Sequence, residues 1–224
     1  MTLSGDTSAL VRPGQFVNFL VEGCYLRRPI SVCDWDGQGN WLTVIYKVVG
    51  KGTEIMARMA AGDQLDTLAG LGNGYDTSKS GSHPVLIGGG VGIPPLYGLA
   101  KRLVQEGKEP LALLGFRTAE EVFLREAFSA LCPVIVTTQD GSAGRTGLVT
   151  DVLGELDYTY FYTCGPMPMF MAVEKAVQGS GQYSFEEKMG CGFGACMGCS
   201  CETKYGSKRI CKDGPVLERE EIVW

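Results

Sequence analysis

The 224-residue sequence contains no run approaching the ~20 apolar residues of a membrane-spanning helix. Its first residues, MTLSGDTSALVRPGQF, lack the basic start and apolar stretch of a secretory signal. Basic residues do not predominate: 20 Lys and Arg against 25 Asp and Glu leave a net charge of −5. The positive footprint of a nucleic-acid binder is therefore absent. No internal repeat is evident. Histidine is almost missing, and His83, beside Pro84 in a polar stretch, reads as a solvated loop residue rather than an acid–base group. The expectation is a cytoplasmic protein with reduced thiols, no membrane and no nucleic-acid partner. A hydrophobic content of 45% and a charged content of 20% fit an ordinary globular chain of one large or two small domains.

What is present is cysteine, concentrated late in the chain. Met189–Val216 reads MGCGFGACMGCSCETKYGSKRICKDGPV, and it holds five of the nine cysteines. Cys191, Cys196, Cys199 and Cys211 are spaced C-x4-C-x2-C-x11-C. The first three carry the opening of a plant-type 2Fe-2S spacing, with a fourth cysteine later. Between them lie Gly192, Gly194, Ala195 and Gly198. A cluster needs small residues, because its sulfides approach backbone N–H groups and the loop must turn through positive φ. Structural zinc sites favour paired C-x2-C knuckles, and only Cys196 and Cys199 form one. Disulfides call for an oxidising compartment, and nothing in the chain signals export. Cys201 is an extra thiol without an assigned role.

The first third, residues 1–70, shows short strand-like runs at Gln15–Glu22, Pro29–Trp35 and Trp41–Val49, separated by turn signals. Gly52–Ala61 reads as a helix with Thr53 as N-cap, and Asp63–Leu68 as a further strand. This pattern predicts a small antiparallel barrel. Arg28-Pro29-Ile30-Ser31 places an arginine beside a hydroxyl at a strand start, which suits a phosphate and the polar edge of a ring. Gly50-Lys51-Gly52-Thr53 offers N–H groups at a helix start. With Ile45-Tyr46-Lys47 between them, these motifs resemble the flavin-binding pattern of the ferredoxin reductase superfamily.

The polar stretch from Gly70 to His83 reads as an interdomain connection. Residues 84–182 then alternate strand and helix, which implies a parallel sheet covered on both faces, a Rossmann-like nucleotide domain. After the first strand comes Gly88-Gly89-Gly90-Val91-Gly92-Ile93-Pro94-Pro95, and after the last comes Cys164-Gly165-Pro166. Gly89, Gly90 and Gly92 would let a backbone approach a pyrophosphate at a helix N-terminus. The GxGxxG fingerprint is interrupted by the prolines. Gly115-Phe116-Arg117 ends the second strand without an acidic residue, which leaves NAD against NADP open. The strand-GGG-x-G-x-x-P and strand-C-G-P pair is similar to the nicotinamide domain of the same superfamily, with Cys164 near the nicotinamide ring.

Flavin barrel (1–70), nucleotide domain (84–182) and small iron–sulfur domain (183–224) follow in an order that covers the whole chain. This order, with LRRPIS, IGGGVGIPPLY, SFEEKMGCGFGAC-x-GC and RICKDGPV, resembles the electron-transfer subunit of class 1B dihydroorotate dehydrogenase. The resemblance implies FAD held by Arg28 to Ser31, Ile45 to Lys47, Gly52 and Thr53. It also implies a 2Fe-2S cluster on Cys191, Cys196, Cys199 and Cys211, with NAD+ as hydride acceptor. The implied partner is an FMN-containing catalytic subunit that oxidises dihydroorotate in pyrimidine biosynthesis, in a heterotetramer of two of each. The runner-up is a ferredoxin–NADP reductase subunit of a bifurcating complex or a hydrogenase-type diaphorase subunit. Family members usually carry a further strand before the segment matching Leu3–Phe16, so the barrel is expected to lack its first strand and to expose an edge.

Overall fold

The computed structural model describes all 224 residues. The chain opens with β1 (Thr2–Ser4), β2 (Phe16–Phe19), β3 (Arg28–Asp36), β4 (Trp41–Val44), helix α1 (Lys51–Ala57) and β5 (Thr67–Leu71). These strands form an antiparallel sheet in the order β1-β4-β3-β2-β5. Its outer strands β1 and β5 do not pair with each other, so the sheet is an open half-barrel. Val17, Phe19, Val32, Leu42, Val44 and Met56 fill its core. Phe16 and Asn18 alternate with Val17 and Phe19, so strand geometry turns them to the other face. Phe16 joins the core of the next domain.

That domain follows as β6 (Pro84–Gly89), α2 (Pro94–Gln105), β7 (Leu111–Phe116), α3 (Arg125–Ser129), β8 (Val134–Thr138), β9 (Arg145–Thr146), α4 (Thr150–Leu153), β10 (Tyr160–Cys164), α5 (Met167–Ala176) and β11 (Gly181–Ser184). The strands run parallel in the order β11-β10-β6-β7-β8-β9. Leu86, Ala112, Leu114 and Tyr162 face Ile93, Leu96, Leu99 and Phe128, which lie around α2 and α3. Val85, Ile87, Leu113 and Phe161 face the opposite way, toward Val152, Phe170 and Val173 of α4 and α5. Near-continuous apolar strands are what a sheet covered on both faces requires.

The last stretch contains β12 (Ser200–Thr203), β13 (Gly206–Arg209) and β14 (Val216–Glu218). The first two form a hairpin of their own, but β14 returns to the nucleotide sheet and pairs antiparallel with β11. The expected boundary at 182/183 therefore falls inside a strand. Cys199, Ile210, Cys211, Leu217 and Ile222 share one buried cluster with Val85, Ile87 and Phe161. The terminal Trp224 ring packs edge-on against Tyr183 at 4.9 Å.

The connection at 70–83 is tied down rather than free. Asn73 donates from its backbone to Gly214 (2.7 Å). Its side chain donates to the Val216 carbonyl (2.7 Å) and accepts from the Val216 amide (3.1 Å). Half-barrel and nucleotide domain meet where α2 crosses β3. A Cβ on Gly98 would lie 3.0 Å from the Cys33 carbonyl, so the helix approaches the strand as closely as a glycine permits. Lys101 caps the contact with an ion pair to Asp34 at 2.7 Å. The pair is largely shielded, and it adds to a crossing already fixed by packing. His83 is exposed and pairs with Glu109, as a loop histidine would.

Candidate functional site

The half-barrel contributes two edges that part from each other. The β3–β4 ladder runs from Asp36↔Trp41 to Val32↔Val44 and ends there. Strand β3 continues paired only with β2, from Ser31↔Phe16 to Arg28↔Phe19. One edge of Arg28–Ser31 is thus unladdered. Ile45, Tyr46 and Lys47, expected within a strand, lie beyond the end of β4. Ile30 and Tyr46 pack on the barrel core, and burial raises the Tyr46 phenol. Lys47 reaches across to Glu121 of the nucleotide domain at 3.6 Å.

Arg28 lies over the first turn of α1. A Cβ on Gly52 would sit 2.2 Å from its Nε, so a larger residue would push the guanidinium aside. Thr53 is not the N-cap as expected; Gly50 is. The Thr53 hydroxyl instead accepts from the Val49 and Gly50 amides (3.0 and 3.2 Å) and donates to the Gly50 carbonyl (2.9 Å). It closes the loop before the helix, because a side chain two residues inside can still reach the free end groups. A splayed pair of edges, with a guanidinium held over glycine, fits a planar ring with a phosphate tail.

The nucleotide domain contributes two loops at the carboxyl ends of neighbouring strands. Cys164 on β10 is in register with Gly88 on β6. Chain order runs outward from this pair in both directions, which makes it the switch point where such sheets bind ligands. The loops touch: a Cβ on Gly92 would lie 2.3 Å from the Cys164 carbonyl and 2.6 Å from the Gly165 amide nitrogen. Gly89 faces the Met169 thioether, 2.5 Å from where its Cβ would be, and Gly90 takes φ +52. Desolvation pushes the Cys164 thiol up to about 12, with Ser184 and Tyr75 facing it. Burial therefore disfavours the thiolate, the nucleophilic form. A bare backbone crevice at the switch point fits a dinucleotide.

The thiols of the last segment fall into two pairs. The Ala195 and Cys196 amides donate to Cys191 Sγ (3.2 and 3.4 Å), and the Cys191 amide donates to Cys196 Sγ (3.4 Å). The Cys211 amide donates to Cys199 Sγ (3.4 Å). Burial opposes ionisation of Cys191, but the amides of Cys196, Phe193 and Ala195 outweigh it and hold the thiol at about 6. Burial and the neighbouring Cys199 thiol push Cys211 up to about 12. No three His, Cys, Asp or Glu side chains converge on one point as a single metal ion demands. Two thiols on each side fit a two-iron group, in which each iron takes two cysteines. Cys201 is half-buried on β12, its thiol raised by burial, and it joins neither pair.

Gly192 and Gly194 take positive φ as expected, at +79 and +92. The third left-handed residue is Met197 at +61 rather than Gly198. Arg209 braces the loop, donating to the Gly194 carbonyl (2.8 Å) and to Asp213 (3.0 Å).

One residue of the site was not anticipated. Asn18, 1% exposed on β2, donates to the Cys191 carbonyl at 3.3 Å. Its signal was a lone amide inside the apolar run Phe16-Val17-Asn18-Phe19-Leu20.

Family models match two segments. Residues 186–223 match the iron–sulfur cluster binding domain of dihydroorotate dehydrogenase B, and residues 86–175 match an oxidoreductase NAD-binding domain. The dihydroorotate dehydrogenase B (NAD(+)) electron transfer subunit of Bacillus caldolyticus is 43% identical over all of this chain and 91% of its own length. That of Geobacillus thermodenitrificans is 41% identical with the same coverage. The chain belongs to this family of electron transfer subunits.

Membership makes it an oxidoreductase subunit, with the iron–sulfur and NAD-binding domains where the cysteine loop and the glycine loops lie. Among solved structures, NADH-dependent reduced ferredoxin-NADP oxidoreductase, described for flavin-based electron bifurcation, superposes with a TM-score of 0.91 at 29% identity. It covers all of this chain and 84% of that one. Amycolatopsis cytochrome P450 reductase GcoB superposes at 0.65 and 27% identity, over 74% of this chain and 56% of its own. The family's cofactor set, FAD, 2Fe-2S and NAD, matches the three parts of the site. No helix is long and apolar enough to cross a membrane.

Proposed function

We propose that this subunit takes electrons from a partner that oxidises dihydroorotate and delivers them to NAD+. The observation that carries the reading is the cysteine segment held against β2 of the half-barrel, where Asn18 donates to the Cys191 carbonyl and Phe16 joins the buried cluster of Cys199 and Cys211. Bound there, a 2Fe-2S cluster would supply one-electron transfer, and FAD would gather two electrons and a proton for release as a hydride. The chain's own residues do the rest by positioning. Cys191, Cys196, Cys199 and Cys211 are the cluster ligands, and the Ala195 and Cys196 amides stabilise the Cys191 thiolate. Arg28 would neutralise the pyrophosphate of FAD, and the unladdered edges of Pro29, Ile30 and Ser31 and of Ile45, Tyr46 and Lys47 would hold its ring. Gly52 gives Arg28 its place, and Thr53 holds the loop beneath. Gly89, Gly90 and Gly92 bring backbone to the dinucleotide, and Cys164 stands as a neutral thiol beside the nicotinamide.

The partner we assign is an FMN-containing dihydroorotate dehydrogenase subunit, in a heterotetramer of two of each. Phe193 and Met197, 55% and 54% exposed on the cysteine loop, support a partner face beside the cluster. The nine free thiols suit the reducing cytoplasm. The test is the complex purified from its native host. Dihydroorotate should bleach the flavin and generate NADH; reduction by reduced ferredoxin but not by dihydroorotate would favour the bifurcating-type reductase that the fold also matches. Sequence favours the first, since the dihydroorotate relatives are 41–43% identical and the ferredoxin-NADP oxidoreductase 29%.

Arg28→Ala is expected to weaken FAD retention about 10- to 100-fold, because a hydrogen bond to a charged group contributes roughly 1.5–3 kcal/mol. Arg28→Lys should not restore it, since a point charge lacks the planar fork. Flavin content per subunit after gel filtration reads the effect directly.

A further inference from the structure

Asn18 joins the cysteine loop to the flavin strand. It lies on β2, and its register partner across the ladder is Pro29, inside the Arg28–Ser31 motif. Its Nδ2 donates to the Cys191 carbonyl across 173 residues of sequence, at 3.3 Å. Gly192 is fitted to it: a Cβ there would lie 2.2 Å from Asn18 Nδ2. The backbone carbonyl of Asn18 accepts from Arg27, which also pairs with Asp66 at 2.8 Å. The residue is therefore held from the barrel side and grips the loop on the other. Its Oδ1 is buried and has no hydrogen-bond partner within the chain. Leaving such an acceptor unpaired costs about 1–3 kcal/mol, so a donor from outside the polypeptide is expected at this junction.

A merely structural account explains less. Val on β2 would pack the same face without an orphaned acceptor. The amide bonds the loop of a proposed cluster ligand and stands in register with the strand of a proposed flavin motif.

We propose that Asn18 is the positioning residue that sets the cluster against the flavin. It acts through the Cys191 carbonyl to fix the cysteine loop, and it offers its oxygen to a donor at the flavin edge. The inference rests on the proposed function in requiring both cofactors, but not on the identity of the electron donor.

The test uses the intact complex reduced with NADH, so that electrons run from flavin to cluster. Stopped-flow absorbance reads flavin reduction by hydride, and freeze-quench EPR reads cluster reduction, normalised to cluster content. For Asn18→Ala, flavin reduction should stay within about twofold of the parent, while cluster reduction slows by about 10- to 100-fold, the range for partners that orient metal ligands. Asn18→Asp keeps the shape and removes the donor, and should slow the same step; it is read in place of the alanine variant if that fails to assemble its cluster. Unchanged cluster reduction in these variants, or a parallel loss of both steps, overturns the proposal. A parent complex whose flavin NADH does not reduce, or which lacks the cluster signal, would instead sink the functional reading.

Discussion

Cys211→Ser is expected to abolish the EPR signal of the reduced cluster and, with it, dihydroorotate-dependent NADH formation. The loss should exceed the ~10- to 100-fold that outer partners of a metal site cost, because a ligand itself is removed. Flavin content and NADH oxidation by ferricyanide should remain, since neither involves the cysteine loop. Cys211 pairs with Cys199 in the buried part of the segment, and both are 2% exposed. A serine hydroxyl in that core costs about 1–3 kcal/mol if unpaired. Thermal unfolding of the variant separates this cost from ligand loss, and Cys201→Ser provides the contrast. Cys201 belongs to neither thiol pair, so its variant should keep the full signal. A bleached Cys201→Ser beside an intact Cys211→Ser would reverse the assignment of the fourth ligand.

Gly92→Ala should cripple the other end of the path. The φ of Gly92 is one an alanine can adopt, so the effect is steric alone. The new methyl would meet the Cys164 carbonyl at 2.3 Å and the Gly165 nitrogen at 2.6 Å, both backbone, neither able to swing away. Overpacking of this kind costs about 1–3 kcal/mol and must be relieved by parting the two loops. NADH-driven flavin reduction should fall by about 5- to 100-fold with a raised KM, while the cluster signal stays intact. Gly89→Ala is the milder control, because its methyl meets the flexible Met169 thioether. Equal effects from the two substitutions would show that contact between the loops is not what shapes the crevice.

Much of this arrangement was legible in the sequence, for reasons that differ along the chain. The cysteine spacing pointed to the iron–sulfur domain because closely spaced thiols are governed by local covalent reach. The alternation from Val85 onward carried the parallel sheet because a doubly covered strand must be apolar throughout. What escaped notice depends on distant partners. The early end of β4 follows from β3 losing its pairing beyond Val32, which nothing in Ile45-Tyr46-Lys47 announces. The left-handed turn fell on Met197 although Gly198 was available. The contacts of Asn18 with Cys191 and of Asn73 with Val216 span more than 140 residues and have no local signature.

The return of β14 beside β11 has a consequence for how the molecule is made. The iron-binding loop is an excursion between two adjacent strands of one sheet, anchored at both ends. The second anchor, Val216–Glu218, follows Cys211, the last of the paired thiols, in the sequence. The loop is pinned at both ends only once β14 has been made and has docked on β11. Substitutions that weaken this pairing are therefore expected to lower cluster content before they touch catalysis.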